Sequence, residues 1–138
     1  MPNWCMNSLL VTGKKKDLVS FRDKVKPTKG SETSGQIDLN KLSKRPKAEE
    51  DNWYDWNVKH WGTKWNIEAH LDWDEPDGEV LEYQFESAWA PPCDAFLTGS
   101  KKFKNLKFRL KYEEPGMCFM GSFKCKNGKI LQDDHIEY

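Results

Sequence analysis

The chain has 138 residues, the length of one ordinary domain with a single hydrophobic core. Charged residues make up 32% and aromatic residues 13% of it, which excludes a disordered chain because disordered sequences lack the aromatic side chains that offset ordering entropy. The 22 Lys and Arg cancel the 22 Asp and Glu, which excludes a global field toward nucleic acid or anionic membranes and leaves only local patches.

A strand and a helix are predicted at the start of the chain. Residues 3–11 mix apolar and polar side chains and are followed by Thr12-Gly13, which is typical of a strand that ends in a turn. In the next segment apolar residues recur at helical spacing until Pro27 ends the pattern. These apolar residues are Leu18, Phe21 and Val25.

A long connection and a short inserted helix follow. Residues 26–52 are polar and contain Gly30, Gly35 and Pro46, so we expect a long surface loop. Its apolar residues are Ile37, Leu39 and Leu42. The inserted helix is predicted over residues 52–62, with Gly62 as its C-terminal glycine.

The inserted helix and the residues after it concentrate aromatic side chains, WYDWNVKHWGTKW. Helical spacing divides them into two stripes, Tyr54, Val58 and Trp61 on one side and Trp53, Trp56 and His60 on the other. One stripe anchors the helix. The other is either covered by the apolar residues of the loop or exposed as an interaction surface. The candidate binding residues are Trp53, Trp56, His60, Trp61 and Lys64.

Two alternating runs predict a hairpin after this helix. Residues 65–73 place apolar side chains on one face and polar ones on the other, and residues 81–89 do the same after the turn DEPDG. Trp65 lies on the apolar face of the first run, so we expect it in the core.

A second helix and three strands complete the predicted order. Pro91-Pro92 suits a first helical turn, and strand signals follow over 106–112, 117–123 and 130–138. This order predicts an α+β fold in which residues 1–138 form a single ferredoxin-like domain. The βαββαβ core carries the inserted short helix and a C-terminal antiparallel strand extension.

No sequence motif predicts catalysis, a metal or a cofactor, and we expect none of the three. LDWDEPDGE lacks the register of a calcium loop, and HExxH, GxSxG, P-loop and GxGxxG patterns do not occur. The four cysteines contain no CxxC pair and are expected to be reduced. An acid–base cluster of His70 with Glu68 and Asp72 on a polar strand face is the enzymatic alternative.

Nucleic-acid binding is the other alternative. The segment KKFKNLKFRLK interleaves basic and aromatic side chains, as in electrostatic tracks for single strands. Its basic residues are Lys101, Lys102, Lys104, Lys107, Arg109 and Lys111. Its aromatic residues align with Leu106 and Leu110 as one buried face, which favours a non-enzymatic protein-interaction module over a single-stranded nucleic-acid-binding module.

Three segments carry a family resemblance. MPNWCMNSLLVTG, WYDWNVKHWGTKWN and FESAWAPP, in this order, resemble the YubB-like family of small phage- and plasmid-borne proteins described as carrying a ferredoxin-like domain. The resemblance extends from Met1 to about Tyr112 and implies a mobile-element origin and a cytoplasmic location in a bacterial host cell. It implies no activity, so no catalytic residue is carried over.

The location and the partner follow as expectations. The amino terminus has no basic segment before its apolar residues, so we expect no signal peptide. No apolar run approaches the ~20 residues that span a bilayer, so we expect no membrane partner. The expected partner is a host or mobile-element protein, including an anti-defence target.

Overall fold

The computed structural model describes residues 3–72 and 79–138. Within these residues the strands are β1 (Trp4–Thr12), β2 (His70–Leu71), β3 (Val80–Ala88), β4 (Lys107–Glu114), β5 (Phe119–Lys126) and β6 (Lys129–Glu137). The helices are α1 (Lys15–Val25), α2 (Trp53–His60) and α3 (Cys93–Ser100). Short 3-10 turns cover Leu39–Lys41 and Lys47–Asn52. The predicted DEPDG turn lies outside the described residues.

The described strands form one antiparallel sheet in the order β2-β3-β1-β4-β5-β6. The first four positions have the arrangement of a split βαβ fold, in which β1 lies between β3 and β4 although it comes first in the chain. Strands β5 and β6 extend the sheet beyond β4, as the meander at the end of the sequence predicts.

One face of the sheet carries the core. Alternation directs Leu9 and Val11 of β1 and Phe108 and Leu110 of β4 to this face, where they are buried. Helix α1 packs there through Leu18, Phe21 and Val25, and the ring of Phe21 makes edge contacts with Phe103 and Phe108 at centroid distances of 5.0 and 5.3 Å. The opposite face, called the open face below, consists of the alternate residues of each strand.

Residues 26–52 are not simply the surface loop that their composition predicts. Ile37, Leu39 and Leu42 are fully buried in the same core as the helices. Asp38 fixes the path between them: its carboxylate accepts hydrogen bonds from Asn40 N, Ser31 Oγ and Asn66 Nδ2 at 2.8–2.9 Å. The segment is therefore an irregular layer of the domain, with its polar residues at the surface.

The first hairpin strand is shorter than predicted. Within the described residues, the pairing of this strand with β3 covers His70–Leu71 alone, although the alternating run begins at Trp65. The preceding residues bond to the irregular layer instead, since Gln36 N donates to Ala69 O at 2.9 Å and Thr33 Oγ1 donates to Ile67 O at 2.5 Å. Residues 65–69 therefore lie outside the sheet: Trp65 is at a bend, and Ala69 makes an isolated parallel bridge with Gly35.

Trp65 is not a core residue, and the prediction that placed it there is wrong. Its side chain is 37% exposed. The neighbouring Asn66 is held toward the irregular layer, because its Oδ1 accepts from Leu39 N and its Nδ2 donates to Asp38, which turns Trp65 to the other side. Ile67 and Ala69 are buried as predicted, so among residues 65–69 the alternation fails at the first residue.

No helix in the described residues is long and apolar enough to cross a membrane.

Candidate functional site

Helix α2 buries a different face from the two predicted stripes. Its buried residues are Trp56 and Asn57, and Trp61 follows them one turn later at the helix cap. The ring of Trp56 stacks on His60 at 4.5 Å and meets the edge of Trp61 at 5.7 Å. The buried face therefore combines one residue of each predicted stripe with Asn57, which belongs to neither.

Two predicted binding residues are structural anchors, and their assignment to an exposed surface is wrong. Trp61 is fully buried, and its Nε1 donates to the Ser43 carbonyl at 2.8 Å. Trp56 is 9% exposed. The irregular layer covers this side of the helix. This is the first of the two alternatives that the sequence left open, in which residues 26–52 cover the aromatic stripe. His60 is partly buried against Trp56.

Two other predicted binding residues, Trp53 and Lys64, lie on a surface row of exposed aromatic side chains around the half-buried Lys64. We call Trp53, Tyr54, Lys64, Trp65 and Trp4 the aromatic row. The ring centroids of Trp53 and Tyr54 are 5.8 Å apart, and those of Trp65 and Trp4 are 6.1 Å apart. Lys64 links the two pairs, because its Nζ lies 5.2 Å from the Tyr54 ring centroid and 4.5 Å from that of Trp65. The aromatic members are 37–48% exposed.

Buried polar contacts hold the aromatic row in place. Gly62, at φ +87°, reverses the chain after α2, and its N–H and that of Trp61 both donate to the Asn57 carbonyl. The Asn57 side chain then donates to Lys64 O at 2.9 Å and accepts from Arg45 at 2.9 Å. Asn57 thus ties the irregular layer, the helix and the Lys64 backbone together.

The aromatic row ends at a depression that we call the acidic groove. It has a volume of about 780 Å³ and lies at the β2–β3 edge of the open face. Trp4 and Trp65 form its aromatic wall, and Glu32, Glu68 and Glu86 supply its carboxylates. Other lining residues are Met6, Asn7, Thr33, Asn66, His70, Gln84 and Phe85.

A second depression, the apolar groove, adjoins the first on the open face. It has a volume of about 470 Å³ between β1, β4, β5 and β6, and it shares Met6, Asn7 and Gln84 with the acidic groove. Its apolar lining includes Met6, Met120 and Ile136. The Tyr112 side chain points to the other face of the sheet with Phe108 and Leu110, where burial raises the pKa of its hydroxyl to about 12 and this hydroxyl is hydrogen-bonded to His135 Nδ1 at 3.0 Å.

The predicted nucleic-acid residues do not form one track. Lys107, Arg109 and Lys111 project from β4 on the open face, where Arg109 lies opposite Lys124 of β5. Lys102 and Lys104 instead line a small hollow beside α1, with Asp17 and Lys24. Lys101 packs its side-chain stem beside Gly128. The six residues are therefore divided between the two faces of the sheet.

The structure places His70 and Glu68 of the enzymatic alternative together in the lining of the acidic groove. His70 lines the acidic groove with Glu68 and Glu86, but no hydrogen bond joins it to a carboxylate in the part of the chain that the structure describes. Within the same residues no group of three His, Cys, Asp or Glu side chains is placed to hold a metal ion.

Sequence reasoning missed the role of Trp4. The available signal was the strand alternation, since burial of Leu9 and Val11 places Trp4, Met6 and Ser8 on the opposite face. Trp4 contacts Trp65, which is 61 residues later in the chain. This contact depends on how the irregular layer turns Trp65, so no local sequence pattern predicts it.

Comparisons with known proteins identify the fold. Residues 60–138 match the family model described as a ferredoxin-like domain in Api92-like protein. The crystal structure of a protein api92 from Yersinia pseudotuberculosis aligns with a TM-score of 0.73 over 100% of this chain and 98% of that chain. The sequence identity of 12% makes this a likeness of fold alone. The predicted fold class is confirmed. No curated protein matches the sequence.

Proposed function

The chain belongs to the family of Api92-like proteins with a ferredoxin-like domain, and we propose that it is a non-enzymatic protein-interaction module. The observation that carries the proposal is the aromatic row, in which four large aromatic side chains and Lys64 form a continuous exposed surface. Fold likeness alone assigns no activity, so the proposal rests on this surface.

The energetics of the row favour a protein partner. Trp and Tyr bury a large area at little cost in side-chain entropy and are enriched among the residues that dominate binding energy at interfaces. Trp4 and Trp65 are 43% and 37% exposed, so each retains apolar surface for a partner to cover. Because Asn57 fixes the Lys64 backbone, the residue that links the two aromatic pairs is preorganised before binding.

The proposal extends to the origin and the target of the module. We place it on a phage or plasmid and its target among host or anti-defence proteins in the bacterial cytoplasm. The support is the resemblance of the three tryptophan-bearing segments to the YubB-like family.

Affinity capture with Trp65→Ala tests the proposal. Tagged wild type and variant are incubated with lysate of a bacterial host, and the recovered proteins are quantified by mass spectrometry. We expect a discrete partner whose recovery falls about tenfold or more with Trp65→Ala, since central aromatic residues of interfaces contribute about 2 kcal/mol or more.

The control is Leu131→Ala, which removes an apolar side chain of 52% exposure from β6 at the opposite edge of the sheet. It should recover the partner as wild type does. Equal recovery by wild type and folded Trp65→Ala would contradict the proposal, and circular dichroism establishes that both variants are folded.

Single-stranded nucleic-acid binding is the alternative, and the basic residues of β4 favour it. Lys107, Arg109 and Lys111 occur together on the open face, with Lys124 beside them. Nuclease treatment of the lysate separates the two functions. A direct protein contact survives the treatment, whereas partners bridged by nucleic acid are lost.

A further inference from the structure

We propose that the acidic groove binds a cationic segment of the partner, an extended peptide that carries arginine or lysine. This inference rests on the proposed function, because it names the chemistry of the partner at the same surface. It follows from the charge, the aromatic wall and the shape of the groove, none of which depends on a family resemblance.

The charge of the lining is one-sided. Three glutamates line the groove, and no Lys or Arg of residues 3–72 and 79–138 does. Glu32 already has a cation, because its Oε1 accepts from Arg45 at 2.5 Å. Glu68 and Glu86 have no hydrogen-bond or ion-pair partner within those same residues and are both exposed. Two carboxylates are thus available to a ligand.

The groove lining brings these two carboxylates to the same place. Glu86 lies on β3, two residues after the Gln84 that pairs with His70, and Glu68 lies two residues before His70, outside the paired strand. Like charges that line one groove repel each other, and a cation between them relieves the repulsion. The arrangement therefore favours a positively charged ligand over a neutral one.

The aromatic wall suits the same ligand. Trp4 and Trp65 face each other at 6.1 Å with an interplanar angle of 36°. The Trp65 ring already attracts the ammonium group of Lys64 at 4.5 Å. An arginine side chain fits this wall best, because its planar guanidinium stacks on indole while its N–H groups donate to carboxylates.

The shape indicates a peptide rather than a single side chain. A volume of about 780 Å³ is in the upper part of the range for ligand pockets, and Met6 and Gln84 continue the lining into the apolar groove. A segment that crosses both grooves would place basic side chains by Glu68 and Glu86 and apolar ones by Met120 and Ile136. A phosphate backbone does not suit this path, because the unpaired carboxylates repel it.

Titration with a labelled peptide tests the inference. The probe is a fluorescein-labelled peptide of alternating Arg and Ser, titrated with the full chain at low salt and followed by fluorescence anisotropy. A peptide with citrulline at every Arg position keeps the planar shape but carries a carbonyl oxygen in place of one NH2 group, which removes the charge and two of the five N–H donors. A labelled single-stranded oligonucleotide is titrated in parallel.

We expect the arginine peptide to bind and the citrulline peptide to bind about tenfold more weakly. The double variant Glu68→Gln/Glu86→Gln should weaken arginine-peptide binding about tenfold, since it removes both available carboxylates. The matched control Asp133→Asn/Glu137→Gln removes the same charge from exposed positions of β6 on the other face, and it should bind as wild type does.

Any of three results would overturn the inference: no arginine-peptide binding, equal affinity of the arginine and citrulline peptides, or equal weakening by the double variant and its control. Binding of the oligonucleotide alone would overturn it as well. The affinity-capture experiment distinguishes failure of this inference from failure of the proposed function. A Trp65-dependent partner together with no arginine-peptide binding leaves the interaction module standing and removes only the cationic segment.

Discussion

At the scale of single residues, the tryptophans of residues 53–65 have different roles that their surroundings decide. Trp61 is fully buried and donates to a backbone carbonyl, whereas Trp53 is 37% exposed and contacts Tyr54. Trp56 belongs with Trp61, and Trp65 belongs to the exposed aromatic row. The tryptophan content therefore singles out this segment, but it does not distinguish the buried tryptophans that anchor the helix from the exposed ones that we propose to bind a partner.

The matched substitutions Trp61→Phe and Trp53→Phe test this division. Trp61→Phe leaves the Ser43 carbonyl without its donor and opens a cavity, so we expect it to lower the free energy of unfolding by about 2–4 kcal/mol. Trp53→Phe should cost less than about 1 kcal/mol, because the residue is at the surface. Urea unfolding followed by circular dichroism measures both, and equal costs would show that the division is wrong.

The sequence predicted some of these residues and not others for a physical reason. Burial of Leu18, Phe21 and Val25 followed from helical spacing, because one helix face meets one sheet. The exposure of Trp65 did not follow from strand alternation, since hydrogen bonds of Asn66 to Asp38 and Leu39 replace the ladder that alternation assumes. The error comes from a contact between segments 27 residues apart.

At the scale of elements, the irregular layer of residues 26–52 is a part of the core that composition conceals. Only three of its residues are both apolar and fully buried, and they have no helical or strand period. Their burial depends on distant partners, as Leu42 lies against Gly99 of α3. The order of strands and helices was predictable from local pattern and turn residues, whereas this docking was not.

A double-mutant cycle on Gly99 and Leu42 tests the docking of this layer on α3. An added Cβ at Gly99 would lie 2.5 Å from Leu42 Cδ2 and 2.9 Å from Leu42 Cβ. We therefore expect Gly99→Ala to destabilise the protein by about 1–3 kcal/mol despite the better helix propensity of alanine. Leu42→Ala should cost about 2–5 kcal/mol through the cavity that it leaves.

The double variant Gly99→Ala/Leu42→Ala tests whether the two residues are in contact. Leu42→Ala removes the atoms that the new methyl group of Gly99→Ala meets. We therefore expect the double variant to lose at least about 0.5 kcal/mol less unfolding free energy than the sum of the losses in the two single variants. Unfolding free energies from urea titration give the coupling. Strict additivity would mean that Leu42 and Gly99 do not share a contact in solution.

At the scale of the whole molecule, a net charge of zero conceals a separation of charge across the open face. The β2–β3 edge carries the acidic groove, and the β4–β5 region carries Lys107, Arg109 and Lys124. A partner with its own separated charges would be oriented by this pattern, which steers encounter more than it adds affinity. The aromatic row, at the acidic edge, then supplies the apolar contacts.

Site-specific photo-crosslinking tests the central claim, that the aromatic row is the surface on which a partner protein docks. A photoreactive benzoylphenylalanine replaces Tyr54 in the row, or Lys107 on β4, or Leu131 on β6, and each protein is irradiated in nuclease-treated lysate of a bacterial host. The three positions are all exposed, so accessibility does not separate them. We predict a discrete crosslinked protein from position 54 and none from position 131. A crosslink from position 107 alone, with none from position 54, would contradict the claim.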